Sequence, residues 1–150
     1  MAITRLSEIL KLIVDWEEKL NRFYKMAGGQ LKNERSRKVV ELLKAEQEKT
    51  LKVIKEMDFG KYKNTEFIKN PPDWHREEVI LHVDITENSS PDEIFDHILD
   101  YEQKLEEYYT HVRDILVYKN DRELMDMLIQ FKLNQIKRIK SYMDDYDLAI

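Results

Sequence analysis

Residues 15–24 read DWEEKLNRFY, and residues 100–109 read DYEQKLEEYY. The two decapeptides lie 85 positions apart, and each carries a glutamate followed seven residues later by a tyrosine. The same shift extends well beyond them. Ile9 meets Ile94, Ile13 meets Ile98 and Leu20 meets Leu105; further on, Val39 meets Leu124, Leu43 meets Leu128, Leu51 meets Ile136 and Ile54 meets Ile139. A self-match of this extent covers two whole units rather than one motif. It predicts two similar helical hairpins packed about a pseudo-twofold axis.

The apolar spacing around the repeat is helical. A first helix is expected from about residue 4 or 7 to Ala27, stopped by Gly28 and Gly29. A second is expected from Glu34 to Met57, with Asn33 as N-cap and Gly60 just past its end. Ser90, Pro91 and Glu93 form a capping box with proline at the first helical position, so a third helix starts there. After a break at residues 118–120, Asn120 and Glu123 read as a second capping box, opening a fourth helix that runs to about Tyr146. The expected division is hairpin one at 4–58, a crossover at 59–90 and hairpin two at 91–147, all in one domain. The crossover holds Pro71, Pro72, Trp74 and the apolar run at 79–81, and is expected to pack along the outside of the bundle. A connection of that length inside a compact unit needs a geometric reason. Two short-looped hairpins joined by one long crossover make the ferritin-like version of an all-α four-helix bundle.

Composition narrows the function classes. The 150 residues contain no cysteine, which excludes disulfides, thiolate zinc sites and iron–sulfur clusters. The net charge of −5 is spread along the chain and gives no support to nucleic-acid binding. No apolar run approaches a membrane span, and the N-terminus lacks a signal-peptide core. The expectation is a cytoplasmic protein. With only 3 glycines, no phosphate-binding loop can be read. His75 and His82 fall in the crossover, His97 and His111 lie fourteen residues apart on the third helix and cannot share a metal, and all four read as surface residues.

The duplicated bundle with Glu-x6-Tyr on the first helix of each hairpin resembles the rubrerythrin-like branch of the ferritin-like superfamily. That resemblance implies one bridging glutamate from each first helix, Glu17 and Glu102, with Tyr24 and Tyr109 hydrogen-bonding nearby. It also implies a Glu-x-x-His pair on each second helix, the six ligands holding two irons. Here the pattern breaks. The inward series on the second helix is Val40, Leu43, Gln47, Thr50, Ile54, Met57, and on the fourth Met125, Leu128, Lys132, Gln135, Ile139, Tyr142. The Glu-x-x-His positions therefore fall on Gln47 and Thr50, and on Lys132 and Gln135. The 85-residue shift pairs Gln47 with Lys132 and Thr50 with Gln135. Four of the six ligands are replaced, one by a lysine that puts positive charge where a dication would sit.

The expected result is a buried polar centre without metal, in which Lys132 bridges Glu17 and Glu102 while Gln47, Thr50, Gln135, Tyr24 and Tyr109 complete the hydrogen bonds. Two carboxylates against one ammonium predict a proton held on one glutamate. The competing reading has Glu17, Glu102 and Lys132 at solvated edges of the helices. The functional expectation is a non-catalytic binding or structural module without cofactor, paired as a homodimer as the resemblance implies. The alternative is a divergent iron-binding oxidoreductase holding metal through Glu17, Glu102 and waters. An acid–base enzyme built on the Glu–Lys cluster is a third. No protein or small-molecule partner can be named from the sequence.

Overall fold

In the computed structural model, residues 5–62 and 90–148 are described. Helix α1 spans Leu6–Gln30, α2 Glu34–Lys55, α3 Pro91–Ile115 and α4 Lys119–Leu148, and a short 3-10 turn occupies Phe59–Tyr62. No strand occurs among the described residues. Contacts concentrate between α1 and α2 and between α3 and α4, which makes two hairpins. Buried side chains from all four helices form one apolar cluster between the hairpins. No helix among the described residues is long and apolar enough to cross a membrane. Of the crossover at 59–90, residues 59–62 and Ser90 are described, and the 3-10 turn at its start rests on α1. Trp74, His75, His82 and residues 79–83 lie outside the described residues.

Helix starts follow local chemistry. Asn33 accepts hydrogen bonds from the amides of Arg35 and Ser36, and Ser90 accepts one from the amide of Glu93, with Pro91 opening α3. These side chains satisfy amides that the first helical turn leaves without partners. The fourth helix differs from the sequence expectation. It begins at Lys119, so Asn120 lies inside its first turn rather than capping it. The Arg122 amide bonds to the carbonyl of Tyr118, one residue before the helix.

The end of α1 also departs from expectation. Gly28 and Gly29 do not stop the helix; both lie inside α1, which continues to Gln30. No glycine adopts a positive φ, so none forms a left-handed cap. Leu31 ends the helix instead. Its backbone turns extended, its amide still reaches the carbonyl of Ala27, and its side chain is buried. The repeat preserves this device. Leu116, 85 positions on, is likewise buried and extended, with its amide on the carbonyl of Arg113. Each hairpin is thus closed by a leucine that gains more from entering the core than from prolonging the helix. Gly60 lies past the end of α2, as expected, inside the 3-10 turn.

A Cβ added at Gly29 would meet no atom within 4 Å. Gly29→Ala should therefore stabilise the protein by about 0.5–1 kcal/mol through the helix preference of alanine. Urea denaturation reads this directly, and a loss of stability would restore the glycine-cap reading.

Candidate functional site: a buried carboxylate–ammonium centre

Tyr24 lies seven positions after Glu17, and Tyr109 seven after Glu102. That is nearly two helical turns, so each pair faces the same way. On α1 this face runs through Ile13, Glu17, Leu20, Tyr24 and Ala27, all buried. On α2 and α4 the alternating steps of three and four place Gln47, Thr50, Lys132 and Gln135 inward, each at most 8% exposed. The four inward faces bring Glu17, Glu102 and Lys132 together at the middle of the bundle. These three are 1%, 0% and 3% exposed, so none sits at a solvated edge.

Lys132 Nζ lies 2.5 Å from Glu17 Oε1 and 3.2 Å from Glu102 Oε2. The tyrosines cross between hairpins. Tyr24 on α1 donates to Glu102 Oε1 on α3 at 2.8 Å, and Tyr109 on α3 donates to Glu17 Oε1 on α1 at 2.8 Å. Each hairpin's tyrosine thus serves the other hairpin's glutamate. This reciprocity requires α1 and α3 to run antiparallel.

The slots on α2 and α4 break the symmetry. Gln47 donates to the backbone carbonyl of Glu17 at 2.6 Å and to its Oε2 at 3.0 Å. Its own oxygen accepts from Asn21 at 2.8 Å. Asn21 also reaches Glu48 at 3.3 Å, and Glu48 pairs with Lys44 at 3.0 Å. A polar chain therefore runs from the centre to the surface between α1 and α2. Gln135 donates to the carbonyl of Leu43 at 2.8 Å and also meets the Tyr24 hydroxyl. Thr50 stays outside the network; its hydroxyl bonds back to the carbonyl of Glu46 on its own helix.

The two glutamates are unequally served. Glu17 receives Tyr109, Gln47 and Lys132. Glu102 receives Tyr24 in good geometry, while its Oε2 has no well-aligned hydrogen bond. Lys132 lies within ion-pair distance of that oxygen but is poorly directed at it. Burial raises the Glu102 carboxyl above the ordinary 4.5; Lys132 pulls it down, Glu17 pushes it up, and the balance is upward. Burial, more than the neighbouring carboxylate, is thus the first cause. For Lys132, burial alone favours the neutral amine, yet the charges of Glu102 and Glu17 outweigh it and hold the ammonium above its ordinary 10.5. Burial first, then the adjacent carboxylates, pushes Tyr24 and Tyr109 well above 10.0.

Asn21 and the Leu43 carbonyl are the partners that sequence reasoning missed. Asn21 follows Glu17 by four residues on the same face, a readable signal, whereas a backbone acceptor has none. His97 and His111 are exposed on α3. Among the described residues, no group of three or more histidines, aspartates or glutamates forms a potential metal site. In comparisons with protein-family models, curated proteins and solved structures, the chain matches none of them.

Lys132→Ala strands two buried carboxylates and should cost about 3–5 kcal/mol. Because Glu17 has more donors to lose, Glu17→Gln should cost more than Glu102→Gln, which resembles the protonated acid. Equal costs for the two glutamine variants in chemical denaturation would contradict this asymmetry. Alkali tests the same centre. In the unfolded chain Tyr24, Tyr109 and Lys132 lose protons near their ordinary values, while the folded state retains them. The unfolded state then binds fewer protons, so stability is full below about pH 10 and falls above it, by up to about 1.4 kcal/mol per pH unit for each group. Tyr24→Phe should make that decline shallower. An unchanged alkaline slope would show that Tyr24 titrates alike in both states.

Proposed function

We propose that this chain is a ferritin-like bundle of the rubrerythrin-like type whose centre is held by a lysine ammonium in place of metal, and that it acts as a binding or structural module rather than a redox enzyme. One observation carries the reading: the Lys132 ammonium, 3% exposed, lies between the Glu17 and Glu102 carboxylates. The donor set does not fit a di-iron centre. Two carboxylates remain, their oxygens already engaged by an ammonium, two phenols and an amide. A dication entering there would have to displace or deprotonate Lys132, and the raised proton affinity of that lysine opposes deprotonation. The all-helical architecture, the two hairpins and the reciprocal Tyr–Glu bonds support the ferritin-like part of the proposal. The fold alone does not carry an activity when the ligand positions have been rewritten.

The proposal is tested by plasma mass spectrometry of the purified protein after aerobic reconstitution with iron. Near-zero iron and manganese per chain is the expected result. One or two metals per chain would overturn it and make oxygen and peroxide turnover the next assay. The converse variant combines Gln47→Glu, Thr50→His, Lys132→Glu and Gln135→His. It should fold as a helical protein and bind iron. A folded variant that stays metal-free would remove the ferritin-like placement of these four positions. The resemblance also implies a homodimer, which sedimentation of the same sample reads directly.

A further inference from the structure

The N-terminal part of α2 and the C-terminal part of α4 leave a groove between them, away from the buried centre. Its volume is about 680 Å³, inside the range of about 300–1,000 Å³ typical of small-molecule sites. Val39, Leu42, Leu43 and Tyr142 give it an apolar side. Tyr142 is held in place: its hydroxyl shares a 2.6 Å hydrogen bond with Ser36, and its ring lies 4.7 Å from that of Phe95. Among the described residues, three cations line the same groove, Arg35, Lys137 and Arg138, against one carboxylate, Asp145. The Arg35 guanidinium sits 5.8 Å from the centre of the Tyr142 ring. Arg138 approaches Glu46 only at 3.9 Å, between side chains that are each more than a third exposed. Such a contact contributes little and leaves the guanidinium available. Asn134 and Ser141 add neutral hydrogen-bonding groups.

The internal repeat serves as a control. Under the 85-residue shift Arg35 corresponds to Asn120, Arg138 to Val53 and Leu42 to Met127. Leu42 is 51% exposed, whereas Met127 is partly buried against the core. Two of the three cations and the open leucine therefore belong to this end alone and are not a legacy of the duplication. Lys137 corresponds to Lys52 and is shared. Gathering cations beside apolar surface in a chain of net charge −5 gives a local field that favours an anion. Guanidinium forks match carboxylate and phosphate oxygens. A partner protein would need roughly 800 Å² of surface on each side, more than this short groove supplies.

We propose that the groove binds a small anionic amphiphile, a molecule with one carboxylate or phosphate on an apolar body. The anion sits against Arg35, Lys137 and Arg138, and the apolar body lies over Leu42 and Tyr142. This inference does not depend on the buried centre or on the ferritin-like reading.

The test is amide-resolved NMR titration of the whole protein with decanoate, decyl phosphate and decanol, each below its aggregation limit. Saturable shifts should centre on residues of the groove for one or both anions, with decanol roughly tenfold weaker or more. Whichever anion binds tighter identifies the headgroup as carboxylate or phosphate. The variant combining Arg35→Asn, Lys137→Gln and Arg138→Val uses two residues that the repeat already places at the corresponding positions. It should keep its thermal melting profile and lose roughly tenfold or more in anion affinity. Equal binding of decanol, undiminished binding by the folded variant, shifts centred elsewhere, or no saturable shift with either anion would each overturn the proposal.

Discussion

One ammonium shared by two carboxylates sets the conditions for everything packed around it. Without Lys132, Glu17 and Glu102 would face each other across a dry interior, and burial of that charge would oppose docking of the hairpins. The ammonium comes from α4, and the carboxylates come from α1 and α3. The centre therefore joins both hairpins and tolerates little displacement of any of the three helices. The apolar cluster supplies most of the driving force for association. The polar centre supplies position, because a shift of one turn would bring leucine or isoleucine against a buried charge.

The reciprocal tyrosine bonds extend this restraint. Tyr24 and Tyr109 are fully buried, large and mostly apolar, so each contributes to the core along its ring and to the centre at its hydroxyl. Their crossing from one hairpin to the other makes hairpin docking and hydrogen-bond satisfaction the same event. A phenol in this position must stay neutral, and its burial beside a carboxylate keeps it so. The alkaline behaviour of the protein and the alignment of its hairpins thus share one cause.

Much of this was readable from spacing. Glu17, Tyr24, Glu102 and Tyr109 announce themselves by repetition, and a seven-residue interval fixes their common face whatever the rest of the chain does. Gln47 and Lys132 fall on inward positions because the periodicity of a long helix accumulates few errors over several turns. The identity of the crossing partners was not readable, because a face does not reveal which neighbouring helix it meets or in which direction. The end of α1 failed for a different reason. Gly28 and Gly29 have the composition of a stop, but burial of Leu31 decided where the chain turned, and tertiary gain outweighed local propensity. Thr50 lies on the inward face, yet its short side chain found the carbonyl of Glu46 before it could reach the centre. The groove beside Tyr142 was invisible for the same reason as the crossing partners, since it depends on how two helices diverge.

The asymmetry of the centre follows from a symmetric scaffold filled unequally. The repeat offers two equivalent slots, and they hold Lys132 and Gln47. A second lysine would have balanced the two carboxylates in charge. Glutamine instead supplies a neutral amide, which goes to Glu17 and anchors that glutamate's backbone as well. Glu102 is left with the poorly directed side of the ammonium and a single phenol. The uncompensated negative charge is therefore least stabilised at Glu102, and that is where a proton relieves it most. The unequal filling of matching slots thus leaves Glu102 with fewer donors, and burial pushes its carboxyl upward. The same argument bears on metal binding. A dication requires both carboxylates ionised and the shared ammonium gone, whereas burial raises the proton affinity of Glu102 and the two carboxylates hold the proton on Lys132.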